Sequence, residues 1–333
     1  MNRLNAWRVF LVALAPILAC AAQAHAQAMD LRYAESASPL QSIFSLPILV
    51  AEREGFFRRE GLNFSITPVQ GGGEATIDAL HEERADIAHV ATNFLVTAAL
   101  RGSDAVAIAA EFNNPVYSLV GKPWVDNIEA LRGRMIGLAD LKGAVTYGAK
   151  KLLEQHGLRD GDFRFKVIEG TPTRYQCLVQ GDCDAVPLGQ PQDFFAVRQG
   201  SRILGLSIDA IPEFLYTVTV ARRSWAAKHE GALVAYVRAL DAAFRYIRDP
   251  ARREDLAHTI RDAWGASADV ARQTLALYFE PERMVLPLRG EINPAGLARV
   301  IDFMIETKVI DSRPDAASLI DTTYLRAAGI DGR

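Results

Sequence analysis

The stretch that decides the fold runs from Leu46 to Asn93 and reads LPILVAEREGFFRREGLNFSITPVQGGGEATIDALHEERADIAHVATN. It begins with a short helical segment that ends at Gly55 and continues into an alternating strand at residues 64–67. Three glycines, Gly71 to Gly73, follow the strand and open a second helix, which leads to a buried strand at residues 86–90. Strand, glycine turn, helix and strand in this order predict an α/β unit with a parallel sheet.

Ligands of open α/β sheets bind beyond the carboxyl ends of the strands. We therefore expect Gly71 to Glu74 and Ala91 to Asn93 to lie together on one rim of the sheet. The loop Ser36 to Pro39 follows a predicted strand at residues 31–34 and joins them there. The glycines match neither a P-loop nor a dinucleotide-binding motif, and a tight turn that binds nothing is the alternative interpretation.

The first 28 residues are predicted to be an export signal. Arg3 and Arg8 precede an apolar run at residues 9–19, which is too short to span a membrane as a mature helix. Small residues with Ala-x-Ala spacing offer cleavage after Ala24, Ala26 or Ala28. Ile17 to Cys20 loosely resembles a lipobox, so lipid attachment at Cys20 is the competing interpretation. We expect a periplasmic protein.

The mature chain has an ordinary composition for a globular protein. The whole sequence has 333 residues, so about 305 remain after the signal, enough for two lobes. Its formal net charge is −3, with acidic and basic residues interspersed. This balance argues against nucleic acid or an anionic membrane surface as a partner.

The pattern of the first half restarts near residue 124. A helix capped by Asp126 is predicted to run through Leu131. A strand, a helix, a second strand, a helix from Pro172 to Gln180 and a third strand follow up to residue 186. Two similar α/β halves in one exported chain predict a two-lobed molecule with a cleft. We assign residues 29–120 to the first lobe and 121–214 to the second. Residues 215–333 return to the first lobe, with a strand at 215–221 followed by helices with apolar stripes.

The chain resembles the periplasmic solute-binding proteins of the nitrate, sulfonate and taurine ABC importers. It also resembles binders of pyrimidine precursors of thiamine biosynthesis. The segments that carry the resemblance are AEREGFFRREGL (51–62), the triple glycine (71–73), ADIA (85–88), LRGRMIG (131–137) and GDCDAV (181–186). The C-terminal helices match only in length and placement.

The resemblance implies a type II periplasmic-binding-protein fold, in which two α/β lobes are joined by a two-stranded hinge and close on a ligand. It implies a function in which the protein captures a small anionic or zwitterionic solute and delivers it to an inner-membrane ABC permease with its ATPase. A ligand-sensing module for a membrane receptor is the alternative function, and an enzyme of the same fold is a more remote one. We expect a monomer.

The predicted ligand site combines turns from both lobes. Unpaired N–H groups at helix starts bind negative groups, and the side chains nearby are polar. The candidate residues are Ser36, Ser38, Gly71, Gly72, Gly73, Glu74, Thr92, Asn93, Asn113, Asp140, Lys142, Thr146, Arg174, Gln190 and Gln192.

Several of these candidates have a second interpretation. Sulfonate binders usually begin the second-lobe helix with a small hydroxyl residue, whereas this chain has Leu141 to Ala144. Glu74 could serve only its helix dipole, and Thr92 and Asn93 could cap their own helix. Arg174 could be a solvated surface residue.

Neither catalysis nor a cofactor is expected. The enzymes of this fold that the chain resembles carry a nucleophilic cysteine after the first strand, but residues 36–39 read SASP. The six histidines show no metal-ligand spacing. His89 lies in a predicted buried strand, where a hydrogen-bonded core histidine is the favoured interpretation.

Two cysteines remain after removal of the signal, Cys177 and Cys183. An oxidising compartment favours a disulfide between them, since a short loop connects the helix and the strand on which they lie. Two unpaired thiols are the alternative.

Overall fold

The computed structural model describes residues 28–279 and 284–330. The predicted cleavage sites up to Ala26, and Cys20, lie outside these ranges. None of the helices in the described ranges is both long and apolar enough to cross a membrane.

The first lobe is built on a five-stranded sheet with the order β2-β1-β3-β10-β4. Its strands are β1 (Met29–Ser36), β2 (Leu62–Val69), β3 (Ile87–Ala91), β4 (Ala105–Phe112) and β10 (Thr217–Arg222). β1 pairs in parallel with β2 and β3, whereas β10 returns antiparallel between β3 and β4. The predicted parallel unit is therefore confirmed for β1 to β3, and the returning strand lies inside the sheet.

Helices cover both faces of this sheet, so its strands are largely apolar and β4 is buried at every position. The helices of this lobe are α1 (Ala37–Leu40), α2 (Leu46–Arg53), α3 (Phe56–Arg59), α4 (Gly73–His81), α5 (Thr92–Leu100), α10 (Arg223–Ala226), α11 (Glu230–Arg248), α12 (Arg253–Trp264), α13 (Ala268–Tyr278), α14 (Pro294–Glu306) and α15 (Thr323–Ala327). The apolar stripe of α11, from Leu233 to Ile247, packs into the core as predicted.

The second lobe repeats the arrangement with the strand order β7-β6-β8-β5-β9. Its strands are β5 (Ser118–Gly121), β6 (Met135–Leu138), β7 (Arg164–Val167), β8 (Ala185–Leu188) and β9 (Arg202–Leu206). Its helices are α6 (Ala144–Gln155), α7 (Thr171–Val179), α8 (Gln192–Arg198) and α9 (Ser207–Ala210). β6 takes the place that β1 has in the first sheet, and β5 takes the place of β10.

The chain crosses between the sheets twice, after β4 and before β10. The two crossing segments contact each other, because the Ser207 hydroxyl donates to the Pro115 carbonyl at 2.7 Å and accepts from the Tyr117 amide at 3.0 Å. The lobe boundary predicted at residue 120 falls inside β5, so the first crossing is complete by Ser118.

Two local predictions were wrong. The helix expected from Asp126 to Leu131 is only a 3-10 turn at Glu129–Leu131, and the Asn127 side chain accepts a bond from the Ala130 amide. β9 was not predicted, because its residues are exposed or half-buried at the edge of the sheet and lack clear alternation.

Cys177 and Cys183 are joined by a disulfide, which links α7 to the residues before β8. The sequence separation is 6 residues. We expect the double serine variant to lose about 2 kcal/mol of unfolding free energy, because a short covalent loop restricts the unfolded chain. Urea unfolding of the exported protein with and without reductant measures this, and identical curves would contradict it.

Candidate functional site

A cavity of about 280 Å³ lies between the two lobes at the rims of their sheets. The first lobe contributes the start of α4, one face of α5 and a residue beyond α14, and the second lobe contributes the loops before α6 and α7. The lining residues are Gly72, Glu74, Asn93, Phe94, Thr97, Asp140, Lys142, Glu169 and Val309. Five of the predicted site residues therefore meet in one cavity, and the first and second lobes both supply them.

The glycine turn has the geometry that this cavity needs. Gly71 has a φ of 108°, in the left-handed region that favours glycine. A Cβ atom on Gly73 would approach the Phe94 ring to 2.2 Å, so only glycine lets α4 pack against α5 there. Gly72 immediately precedes α4, and its own position leaves space toward the cavity.

The charges of the cavity are mainly negative. Glu74, Asp140 and Glu169 supply three carboxylates, and Lys142 supplies one ammonium group. Glu74 also pairs with the exposed Arg101 at 3.2 Å, and an Asp140 oxygen accepts from the Lys142 amide at 3.1 Å. A simple inorganic anion therefore has little electrostatic reason to enter.

Thr92 has a structural role, although Asn93 beside it lines the cavity. The Thr92 hydroxyl donates to the Tyr216 carbonyl at 3.3 Å, and neither residue caps α5 with its side chain. The alternative that they cap their own helix is therefore wrong. Asn113 is buried beyond β4, and its side-chain oxygen has no hydrogen-bond partner within the described ranges.

The hydroxyl residues of the two rims lie near the lobe junction. Ser36 ends β1, and Ser38 lies in α1, where its hydroxyl accepts from the Thr171 amide of the second lobe at 3.3 Å. Thr146 is buried in α6, and its hydroxyl has no partner among the described residues.

Arg174 is buried and not solvated, which corrects the surface interpretation. Its guanidinium donates to the carbonyls of Pro187 and Ile168 at 2.7 and 3.0 Å and to the Thr171 hydroxyl at 3.1 Å. Burial lowers the pKa of Arg174. Because three of its donors hold the second lobe together, we assign it a structural role.

Gln190 and Gln192 connect the lobes. The Gln190 side chain donates to Asp193 at 2.8 Å and accepts from the Tyr278 hydroxyl of α13 at 2.8 Å. The Gln192 amide donates to the Gln41 carbonyl at 2.9 Å, while its side-chain oxygen has no partner in the described part of the chain. Burial raises the pKa of Asp193 to about 6.

A second set of cross-lobe contacts lies on the opposite flank, between α6 and α14. The Tyr147 hydroxyl donates to a Glu306 oxygen at 2.8 Å, and Lys151 pairs with the same carboxylate. Burial, reinforced by Glu306, raises the pKa of Tyr147 to about 12, so its hydroxyl keeps the proton that it donates. With contacts on both flanks, the lobes are closed on each other.

Aromatic rings that the sequence did not single out fill the junction. Phe44 stacks on Tyr117 with ring centres 5.2 Å apart and meets Phe112 and Tyr216 edge-on at 5.0 and 5.3 Å. The Tyr117 and Tyr216 hydroxyls, one on each crossing segment, are 2.9 Å apart. These rings lie far from one another in the sequence, so no local motif marks them.

A buried polar network lies under the first sheet. Glu111 accepts from the His89 ring at 2.8 Å, from the Tyr33 hydroxyl at 3.0 Å and from the Thr219 hydroxyl at 2.6 Å. His89 is thus a hydrogen-bonded core residue, as the favoured interpretation held. The β4–β10 register shifts between Thr217 and Val218, and this bulge makes Glu111 the extra residue.

A larger groove, about 600 Å³, lies on the outer surface of the first lobe between α2, α12 and α13. Some of its charged residues pair with one another, for example Arg252 with Asp255 at 3.4 Å. Among the described residues, only those of the first lobe line this groove, whereas residues of both lobes line the cavity between them. The cavity between the lobes is therefore the better candidate site.

Residues 43–252, about two thirds of the chain, match the family model described as NMT1/THI5 like. The chain belongs to this family. It is 24% identical to YtlA of Bacillus subtilis, which is named as a binding protein, over 71% of this chain and 72% of that one.

Two solved structures show the fold of the family. The periplasmic nitrate-binding protein NrtA from Synechocystis PCC 6803 has a TM-score of 0.75 at 12% identity, over 91% of this chain and 89% of that one. The periplasmic aliphatic sulphonate binding protein SsuA from Escherichia coli has a TM-score of 0.67 at 18% identity, over 88% of this chain and 97% of that one. This NMT1/THI5-like protein therefore has a periplasmic-binding-protein fold, and the predicted family resemblance and fold class are confirmed.

Proposed function

We propose that the protein is the extracytoplasmic solute-binding component of an ABC importer. It captures a small anionic or zwitterionic organic solute between its lobes and delivers it to an inner-membrane permease with its ATPase. The observation that carries the proposal is the cavity between the lobes, because residues of both lobes line it and its two flanks carry cross-lobe contacts. The predicted export signal supports a periplasmic location.

Binding and closure follow from the same geometry. The two crossing segments are short and bonded to each other, so they let the lobes rotate as bodies. A solute that contacts Asn93 on one lobe and Lys142 on the other stabilises the closed state, since only that state offers both contacts. The structural relatives named above support transport, because their names state that they bind nitrate and sulphonate.

The negative lining favours a zwitterion over a simple anion. Lys142 and the free N–H groups at the start of α4 can hold an acidic group, while the cavity carboxylates hold a positive one. We propose binding and not catalysis for this cleft.

Gly72→Trp and Asn93→Leu test this site. An added Cβ at Gly72 meets no atom of the described residues within 4 Å apart from its chain neighbours, so tryptophan there fills the cavity without straining the fold. We expect the free energy of unfolding of each variant to lie within about 1 kcal/mol of that of the parent. A solute identified by thermal-shift screening should bind each variant about 100-fold more weakly by calorimetry.

Ala251→Trp is the matched control, because it adds the same ring to an exposed position on the outer surface of the first lobe. It should bind the solute like the parent. Unchanged affinity in both cavity variants would place the ligand site elsewhere.

A further inference from the structure

In the polar network of the first sheet, the groups at the inner end have hydrogen-bond partners. The side chains nearest the rim have none among the described residues. Tyr33, His89 and Thr219 all bond to Glu111. Glu35 is two residues closer to the rim than Tyr33 on β1, and Thr217 is two residues closer than Thr219 on β10. Glu35 is 0% exposed, and neither of its oxygens has a hydrogen-bond partner in residues 28–279 and 284–330. The Thr217 hydroxyl is likewise buried and unpaired in those ranges.

These unpaired atoms lie next to the lobe junction. Glu35 is three residues before Ser38, which bonds to the second lobe, and Thr217 directly follows Tyr216, whose hydroxyl meets Tyr117. Asn113, which follows β4 on the same crossing, contributes a third unpaired buried oxygen within the described ranges. At the same junction, the Phe44 ring packs edge-on against Phe112 and Tyr216.

The unpaired atoms can be paired by hydrogen-bond donors of a ligand. An ionised carboxylate and an amide oxygen can only accept hydrogen bonds, and a buried acceptor left unpaired costs about 1–3 kcal/mol. A pure anion gains no charge pairing from Glu35 in either protonation state, whereas a protonated nitrogen pairs with the ionised carboxylate.

The cavity between the lobes also favours a positive group. Three carboxylates against one ammonium group line the cavity of about 280 Å³. Such a field attracts a positive group and repels a pure anion. This preference does not depend on Glu35, because Glu35 does not line the cavity.

We propose that Glu35 is the specificity-determining residue of the cleft, and that it takes the protonated nitrogen of a zwitterionic solute. The proposal rests on the solute-binding function proposed above and deepens it. Thr217 and Asn113 accept further N–H donors of the same group, and the neighbouring rings favour a planar or compact apolar body.

Proton release follows from the burial of Glu35. Burial, offset in part by His89 and reinforced by Glu111, raises the pKa of Glu35 to about 8, so the residue holds its proton at neutral pH in the unliganded protein. A bound ammonium group favours the ionised form, and the proton then leaves to solvent. Binding should therefore release close to one proton at pH 7.

The experiment uses pairs of solutes that differ by one nitrogen. Taurine is paired with ethanesulfonate, β-alanine with propionate, and benzamidine with benzamide, and each is tested by thermal shift and by calorimetry in two buffers of different ionisation enthalpy. We expect the melting temperature of the parent to rise by about 5 °C with at least one protonated member and not with its twin. Calorimetry of that member should show the released proton.

Glu35→Gln and Thr217→Val separate recognition from folding. Neither side chain makes a hydrogen bond within the described ranges, so both variants should unfold at or above the temperature of the parent. Glu35→Gln should bind the active probe about tenfold to 100-fold more weakly and release no proton. Glu254→Gln, which removes an exposed carboxylate from the outer groove of the same lobe, should leave both readouts unchanged.

The outcomes distinguish the inference from the proposed function. One contrary result is that the twin without the protonated nitrogen raises the melting temperature of the parent by as much as the protonated member does, and raises that of Glu35→Gln by the same amount. The protein would then bind solutes, but Glu35 would not select them. Unchanged proton release in Glu35→Gln would also overturn the inference. If no member of any pair stabilises the parent at millimolar concentration, both the inference and the proposed solute class are wrong.

Discussion

Replacing Glu111 by leucine is expected to lower the free energy of unfolding by about 3–5 kcal/mol. The Glu111 carboxylate is 0% exposed and accepts hydrogen bonds from Tyr33, His89 and Thr219, which lie on three other strands of the first sheet. The substitution removes the acceptor of the buried Tyr33 hydroxyl and of the buried His89 imidazole, and leaves the Thr219 hydroxyl only the Tyr236 hydroxyl, 2.8 Å away. Urea unfolding followed by circular dichroism measures the loss.

Glu111→Gln is the matched control for this experiment. It keeps the volume and one acceptor oxygen, so we expect a smaller loss, about 1–3 kcal/mol. The pKa of His89, followed by NMR, should fall in both variants, because burial lowers it and Glu111 is the main group that raises it to about 9. A loss below about 1 kcal/mol in the leucine variant would show that water replaces the network without cost.

The free energy of unfolding is expected to fall as the pH rises from about 6 to about 9. Burial and Glu111 raise the pKa of Glu35 to about 8, and Glu111 and Glu35 raise that of His89 to about 9 against the lowering effect of its burial. Both pKa values lie above those of the unfolded chain, so the folded state holds more protons in this range. Stability is therefore present at lower pH and is lost as the pH passes through about 8 and 9.

The titratable groups that face Glu35 and His89 are Tyr33 on β1, Glu111 on β4 and Tyr236 on α11. Each proton contributes about 1.4 kcal/mol per pH unit, so two groups with pKa values of about 8 and about 9 give a combined loss of about 6 kcal/mol between pH 6 and pH 9. Denaturation at a series of pH values measures it. Glu35→Gln should be more stable than the parent near pH 8 and should show a flatter profile. A parent profile that is level or rises over this range would contradict the assignment.

The fold could be predicted from the sequence where the local hydrophobic pattern agrees with the residues that begin or end helices and strands. The alternation at Phe64 and Ile66 lies within β2, and the stops at Gly55 and Gly157 and the Asn293-Pro294 start lie at or next to helix boundaries in the structure. These signals depend only on neighbouring residues. β9 and the turn near Asp126 were missed or wrong because tertiary contacts, and not local pattern, decide them.

The site could be predicted only in part. Turn residues such as Gly72 and Asn93 could be placed on one rim, since strand direction alone determines it. Burial could not be predicted, and it is burial that gives Arg174 a structural role and makes Glu35 unusual. In the sequence Glu35 is a lone acidic residue at the end of a strand, where a solvated side chain is the ordinary expectation.

The flanks of the cleft differ in the kind of contact that holds them. On the α13 flank Ser38, Gln41 and Gln190 make uncharged hydrogen bonds, whereas on the α14 flank the contacts converge on Glu306, whose side chain is 51% exposed. Exposed ion pairs contribute about 0–1 kcal/mol and weaken as salt rises. The contacts on that flank therefore weaken as the ionic strength of the compartment rises, while the buried groups to which we assign solute recognition are shielded from it. Under the function proposed above, a saline medium would speed the exchange of solute without changing which solute is selected.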